Sequence, residues 1–388
     1  MKKFFTLLGV LLLVSVGVMV LFAPAMVEKQ HNQVTQHSPY TISEAARKLH
    51  DSMIVADMHS DSLLWSRDLS ERSDYGHVDL PRLREGNVAI QAFTVVTKSP
   101  RGLNYSTNSA DALDNITLLS LVQGWPSDTW QSLSERALYQ ADKLQTLAEA
   151  HPDKVRLIRT RNDLDEVLRA REMGRKQLAS FLGTEGSHAL DGDLGNIQKL
   201  YDAGYRMMGL HHFFDNRLGG SLHGESGSRL SFFGRQALAE MNRLGIIIDL
   251  SHSSESVVDE VIEMSKTPVV ISHTGMQGTC DTPRNISDQL MVRIAEKGGL
   301  VGIGFWDAVC DFSPEGIVKT LRYAIDLLGE DHVVLGSDFD GSVTTSIDAS
   351  ELAVLTDIMM QQNFTEMEIR KVMGDNTRRF LLEHLPDA

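Results

Sequence analysis

Residues Ile246–His273 read IIIDLSHSSESVVDEVIEMSKTPVVISH. An apolar run, Ile246–Ser251, stops at His252; an amphipathic stretch, Glu255–Ser265, follows; a second apolar run, Pro268–Ser272, stops at His273. Short apolar runs with little alternation suit strands buried on both faces, as in a parallel sheet. The stretch between them has helical length and period, so the unit reads as strand, helix, parallel strand. Each strand ends in Ser-His. A lone buried histidine is more often a satisfied core residue than a ligand. Two at matching ends of successive strands reverse that balance, because neutral imidazole nitrogen suits zinc.

The same unit recurs in both directions. Strand candidates lie near residues 53–58, 88–96, 178–184, 206–211, 246–251, 268–272, 299–305 and 333–337. Most are separated by helical patterns such as Leu194–Ala203, Phe232–Leu244, Ser287–Glu296 and Glu315–Leu328. Eight such units over about 350 residues predict an α/β chain folded as a (β/α)8 barrel of the TIM type, with insertions. An open doubly wound sheet fits less well. The largest insertion falls between Lys98 and Arg156, opens with the turn pair Ser99-Pro100 and contains the helical stretch Glu135–Ala150. No G-x-G-x-x-G follows a strand, and neither a P-loop nor a G-x-S-x-G elbow occurs, so dinucleotide, nucleotide and serine-hydrolase readings lack support.

Barrel enzymes place their chemistry at the C-terminal ends of the strands, and those ends are where the remaining polar residues stand. Met53–Met58 runs into His59-Ser60-Asp61, whose i and i+2 side chains share a face of an extended segment and can meet one ion. Leu178–Thr184 runs into Glu185. A buried carboxylate is costly unless paired or metal-bound, and two oxygens let it bridge two cations. A helix cap or a lysine salt bridge would also explain Glu185. Val333–Ser337 ends at Asp338, which beside two dications would ionise easily and take a proton from a bridging water. Asp340 reads better as a turn cap. His212 could donate to the oxyanion of a tetrahedral intermediate, or be a core or surface histidine. Arg284 could clamp a carboxylate with two parallel bonds, or form a surface salt bridge. Asn216–Ser221 reads as a mobile loop over the barrel mouth or as plain surface.

Composition narrows the partners. The chain has 388 residues, 42% hydrophobic and 23% charged, which is globular. Its net charge of −15 and lack of a basic patch argue against nucleic acid and against peripheral binding to anionic lipid. Lys2 and Lys3 precede an uncharged stretch, Phe4–Val27, long enough to span a bilayer, yet Ala23-Pro24-Ala25 is a small-residue cleavage site. Residues 1–27 therefore read as a signal peptide or a membrane anchor. Either way the lysines stay cytoplasmic and the rest is exported, to the periplasm or the extracytoplasmic membrane face. Residues 28–39 read as a polar linker and residues 40–388 as one domain. Cys280 and Cys310 are the only cysteines. In an exported chain an even pair invites a disulfide; in the cytosol they would be two buried thiols.

Taken together, several segments resemble the membrane (renal-type) dipeptidase family, a branch of the amidohydrolase superfamily. They are Asp57-Met58-His59-Ser60-Asp61, Glu185-Gly186-Ser187-His188, Gly204-Tyr205-Arg206 with His212, and Asp249-Leu250-Ser251-His252. Ser272-His273, Arg284-Asn285 and Gly336-Ser337-Asp338-Phe339-Asp340-Gly341 follow in the family's order. The resemblance runs from about residue 45 to the end. It implies two zinc ions per subunit, with His59 and Asp61 on one, His252 and His273 on the other, and Glu185 bridging. It further implies that His212 contacts the scissile carbonyl, that Arg284 holds the C-terminal carboxylate and that Asp338 shuttles the proton. A Cys280–Cys310 disulfide and a homodimer are implied in the same way. Family members cleave dipeptides, often tolerate a D-residue in the second position, and in some cases open β-lactams.

The expected function is thus a zinc-dependent dipeptidase working through a metal-bridging hydroxide. Its rivals are another exported metal-dependent hydrolase, acting on N-acyl amino acids or lactones, and a non-catalytic protein that binds metal or peptide. The residues leave side-chain and stereochemical preference open.

Overall fold

The structure is a computed structural model that describes residues 22–387. Eight parallel strands form the barrel: β1 Val55–Asp57, β2 Val88–Val96, β3 Leu178–Glu185, β4 Tyr205–Gly209, β5 Ile247–Asp249, β6 Val270–Thr274, β7 Leu300–Ile303 and β8 Val333–Leu335. They are hydrogen-bonded in chain order. The seam between β8 and β1 is nearly closed by the Met58 N–H, which donates to the Leu335 carbonyl at 3.0 Å, and by a parallel bridge between Ser60 and Phe339. All eight strands lie where apolar runs predict them.

Strand residues divide by parity into two packed layers. Val55, Leu182, Met208, Ile248, Ile271, Val301, Val333 and Leu335 join the large cluster that the surrounding helices complete. Ala56, Phe181, Met207, Ile247, Val270, Leu300 and Val334 form the second cluster, of opposite parity, inside the barrel. Burial on both faces is why the strands show no polar alternation. The helices start and stop on local signals. Ser231 caps Phe232–Leu244 by accepting the Gly234 N–H, and Gly245 ends it at φ +69°. Ser313 caps Pro314–Leu328, whose proline occupies the first turn.

The insertion between β2 and β3 holds helices Asn115–Val122, Leu133–Ala150 and Arg161–Glu172. Buried Arg136 pins it by donating to the carbonyls of Thr97, Thr129 and Trp130 and by pairing with Asp114. A ninth strand, Val155–Leu157, pairs with β3 off the barrel path. It is three residues long and half-exposed, too short for periodicity to mark it.

Two expectations need correction. Residues 28–39 are not a free linker: Gln33–Val34 pairs in parallel with Thr344–Thr345, and Glu28 is fully buried. Asn216–Ser221 is a tight turn with Leu218 to Ser221 buried, not plain surface, and the Ser221 hydroxyl bonds the His212 and His252 carbonyls at the rim of the barrel. Of the segment read as signal or anchor, residues 1–21 lie outside the described residues, and 22–27 belong to a helix that runs on to residue 31. Among the described residues no helix is long and apolar enough to cross a membrane. Cys280 and Cys310 are joined by a disulfide that ties the loop after β6 to the loop after β7.

Candidate metal centre

The C-terminal ends of five strands converge. β1 runs out into His59 and Asp61, β3 ends on Glu185, β6 contains His273, and His252 and Asp338 lie just beyond β5 and β8. Glu185 Oε1 is the hub. It lies 3.6 Å from His59 Nε2, 3.5 Å from His212 Nε2, 3.1 Å from His252 Nε2 and 3.4 Å from His273 Nε2. His59 Nε2 is also 3.6 Å from Asp61 Oδ1 and 3.9 Å from Asp338 Oδ1. Three overlapping triads arise: His59/His273/Asp338, Glu185/His212/His252 and His59/Asp61/Glu185, each with donor atoms within 4.8 Å. Every one of these side chains is buried.

A second tier sets which ring nitrogens face the hub. The Ser272 hydroxyl donates to Asp249 Oδ2 at 2.6 Å. Its single proton is then spent, so its contacts with His59 Nδ1 at 2.9 Å and His273 Nδ1 at 3.0 Å are imidazole N–H donations to its oxygen. Each ring's Nδ1–H is thereby engaged and its Nε2 is turned toward the hub, the orientation a cation needs. Asp249 is held in turn by the backbone N–H groups of Ser251 and Ser272. Asp57 plays the matching part at the seam, accepting from Ser337 N, Ser337 Oγ and Gln91 Nε2. Gly302 on β7 and Gly336 just beyond β8 let the backbone close on Ser272, since a Cβ at either would come within 2.1 and 1.9 Å of its carbonyl oxygen. Thr94 donates to Asp61 Oδ1 at 2.6 Å.

Electrostatics favour cations here. Burial holds His252 and His273 well below the ordinary imidazole value, with the Arg284 charge adding to it in both. Burial likewise takes His212 down to about 4. These rings are neutral lone-pair donors. Glu185 is driven well above the carboxylate range by burial and by the Asp61 and Asp338 charges. His252 Nε2 and His273 Nε2 stand 3.0 Å apart, and His59 Nε2 is buried without a hydrogen-bond partner. Convergent neutral imidazoles around mutually repelling carboxylates fit divalent metal.

The cluster opens into a cavity of 380 Å³ that Arg284, Tyr105, Trp306 and Asp307 also line. Arg284 Nη2 donates to the His273 carbonyl at 3.2 Å and lies 3.4 Å from His252 Nε2, and its guanidinium sits 5.3 Å from the Trp306 ring centre. Tyr105, from the insertion, donates to Asp307 Oδ1 at 2.7 Å and accepts from Trp306 Nε1 at 3.0 Å.

A family model described as membrane dipeptidase, peptidase family M19, matches residues 43–384. The chain belongs to that family. This M19 chain is 30% identical over 318 residues to Dipeptidase tcpJ of Claviceps purpurea (strain 20.1), covering 79% of this chain and 69% of the relative. It is 29% identical over 313 residues to Dipeptidase verJ of Clonostachys rogersoniana, covering 79% and 75%. Among solved structures it is similar to the dipeptidase AC, a metallopeptidase, at 28% identity and a TM-score of 0.70, covering 87% of this chain and 100% of that one. A metallopeptidase from Rhodobacter sphaeroides, liganded with a phosphinate mimic of the dipeptide L-Ala-D-Ala, gives 26% identity and a TM-score of 0.69, covering 86% and 99%.

In this metallopeptidase the catalytic, substrate and metal candidates read from the sequence come together: His59, Asp61, Glu185, His212, His252, His273 and Asp338 form one cluster, and Arg284 lines the cavity into which it opens. Asp340 is more than a turn cap. It is fully buried and ion-paired to Arg67. Asp57, Asp249 and Ser272 stand in the motifs quoted above without a role of their own, though the signal for one is present in Asp57-Met58-His59 and Asp249-Leu250-Ser251-His252. An aspartate two or three residues ahead of a ligand-type histidine, inside an apolar run, has to be held by something.

Proposed function

We propose that this protein is an exported dipeptidase with two zinc ions, anchored or released through its N-terminal segment, that cleaves dipeptides bearing a free C-terminal carboxylate. Arg284 carries the reading. It is a buried guanidinium lining the metal cavity, and among the described residues it has no salt-bridge partner. A buried unpaired charge is expensive, and a planar fork suits a carboxylate. The Rhodobacter relative's L-Ala-D-Ala mimic supports dipeptides, including those with a D-residue second.

His59 and Asp61 would hold one ion, His252 and His273 the other, with Glu185 spanning both. When bound, such a pair supplies a water ionised near neutral pH and polarises a carbonyl. The chain's own groups do the rest. Arg284 anchors the carboxylate and so fixes the scissile amide within the cavity. Asp338 takes the proton from the attacking water and returns it to the leaving amine. His212 already donates its Nδ1–H to the Lys98 carbonyl at 3.3 Å. It therefore donates from Nε2 only when protonated, a state that the developing negative oxygen favours and burial otherwise resists.

The test is release of free amino acids from L-L and L-D dipeptides by the full chain in mild detergent, with zinc and after chelation. C-terminally amidated dipeptides, an N-acyl amino acid and a lactone run alongside. Zinc-dependent cleavage that refuses the amides is expected; intact dipeptides after incubation with folded, zinc-loaded protein sink the reading. Arg284→Met should raise KM for dipeptides about 100-fold with a smaller change in kcat, as loss of a bidentate charged contact does. An unchanged KM removes Arg284 from substrate binding.

A further inference from the structure

The loop that follows Asp338 is built against backbone preference. Asp338, Asp340 and Ser342 have φ of +61°, +63° and +62°, three left-handed non-glycine residues at alternate positions. Each costs of the order of 1 kcal/mol or more, so surrounding contacts must hold the loop in place. Gly341, Ser342 and Val343 line the same cavity as Arg284 and Glu185.

The two halves of the loop are held by different parts of the chain. The first half is fixed from the connection between β1 and β2. Asp340 accepts from Ser62 Oγ at 2.6 Å and from the His77 N–H at 2.7 Å, and its carbonyl accepts from Trp65 Nε1 at 2.7 Å. The second half is fixed from residues 28–35. The Ser342 N–H donates to Asn32 Oδ1 at 2.9 Å. Gln33 N–H donates to the Val343 carbonyl at 3.3 Å, Thr35 N–H to the Thr345 carbonyl at 2.7 Å, and Gln33–Val34 runs parallel to Thr344–Thr345. Buried Glu28 completes the link, because Arg67 pairs with Glu28 on one side and Asp340 on the other. Burial pushes the Glu28 carboxyl up to about 7 against the pull of Arg67. A carboxylate placed there at such a cost needs a structural reason. The family model begins at residue 43, so this arm lies ahead of what it matches.

We propose that Glu28–Thr35 is a positioning arm that fixes the Asp338–Thr345 loop, so that turnover in this chain depends on a segment ahead of the family domain. The proposal rests on the dipeptidase reading for its activity readout alone. The arm touches no reacting group. It acts through the loop, setting the direction of Asp338 and the shape of the wall beside the substrate, where a shift of about 1 Å is enough to slow chemistry.

The full chain in mild detergent is compared with three variants. Gln33→Pro/Thr35→Pro removes two N–H donors at exposed side chains and leaves the arm's acceptors in place. Asn32→Leu removes the acceptor for the Ser342 N–H, and Asn32→Asp keeps it. The readouts are kcat and KM for a dipeptide, bound zinc, the melting temperature, and amide hydrogen exchange over 339–346. The expected result for the proline pair and Asn32→Leu is a fall in kcat of about tenfold, with KM and zinc content within about twofold of wild type and exchange over 339–346 at least tenfold faster. Asn32→Asp should recover most of both. Wild-type kcat and unaltered exchange in folded proline variant overturn the proposal, as does a loss of activity explained by a loss of zinc. If wild type cleaves no dipeptide, the functional reading has failed by itself, and the exchange comparison still decides whether the arm holds the loop.

Discussion

On the proposed two-zinc reading, Asp338→Asn should lower kcat for a dipeptide about 10³-fold and keep the metal content of wild type. The substitution keeps the shape of the side chain and removes its capacity to carry a proton. Asp338 lies beyond β8, buried and facing the cavity, with Oδ1 3.9 Å from His59 Nε2. Burial pushes its carboxyl up to about 8, with His59 and Arg284 pulling down against it. Neighbouring cations would return it toward the carboxylate range, where it can accept a proton from water and release it to an amine. A factor of 10³ corresponds to about 4 kcal/mol, within the range of a positioned general base. The measurement is kcat at saturating dipeptide beside zinc content by atomic emission. Two outcomes would each reject the assignment. Wild-type kcat would remove Asp338 from proton transfer, and loss of one zinc would make it a ligand, as the His59/His273/Asp338 triad allows.

Which parts of this arrangement were legible in the sequence follows from the range over which each signal acts. Strands buried on both faces must be apolar throughout, and helices between them must carry a 3.6-residue period, so β1 to β8 announce themselves within windows of a few residues. The ligand-type residues were legible for a related reason. His59, Glu185, His252, His273 and Asp338 interrupt or end those apolar runs, and a polar group there has to be satisfied inside the protein. Asp57, Asp249 and Ser272 obey the same rule, yet their partners come from other strands. Ser337 is 280 residues from Asp57, and Ser272 is 23 from Asp249. No local pattern reports such pairing.

Residues 28–39 failed for the opposite reason. Their composition is polar, which is what a solvated linker looks like. Their docking depends on backbone donors of Gln33 and Thr35 and on one buried ion pair, and neither leaves a hydrophobic period behind. The wall made by Tyr105, Trp306 and Asp307 was equally silent, since its members come from an insertion and from a loop some 200 residues away. Fold and ligand set are local readings here; the arm and the cavity wall are long-range ones.

Glu185→Gln should leave the protein unable to hold its full complement of zinc and lower dipeptide hydrolysis by about 10⁴-fold or more. No other side chain meets so many of the cluster: its Oε1 lies within 3.6 Å of the Nε2 atoms of His59, His212, His252 and His273. Glutamine offers one neutral oxygen where the carboxylate offers two charged ones, so it cannot span two cations. Stability gives the sharper reading, because it should move in opposite directions with and without metal. In metal-free protein, Asp61, Glu185 and Asp338 are buried within one cluster, and Glu185 suffers the charge of both others. With its carboxyl held well above the ordinary range, Glu185 must take up a proton when metal-free wild type folds at neutral pH, a cost that glutamine does not carry, so the metal-free variant should melt above metal-free wild type at that pH. Adding zinc should then stabilise wild type strongly and the variant weakly, because stabilisation by a ligand scales with its affinity. Calorimetry on both proteins, stripped and reloaded, measures all four melting temperatures. A variant that melts below wild type without metal, or gains as much from zinc, would show that Glu185 is a structural residue. The expected crossing would mean that the fold accepts a cost in its empty form for the site the metal completes.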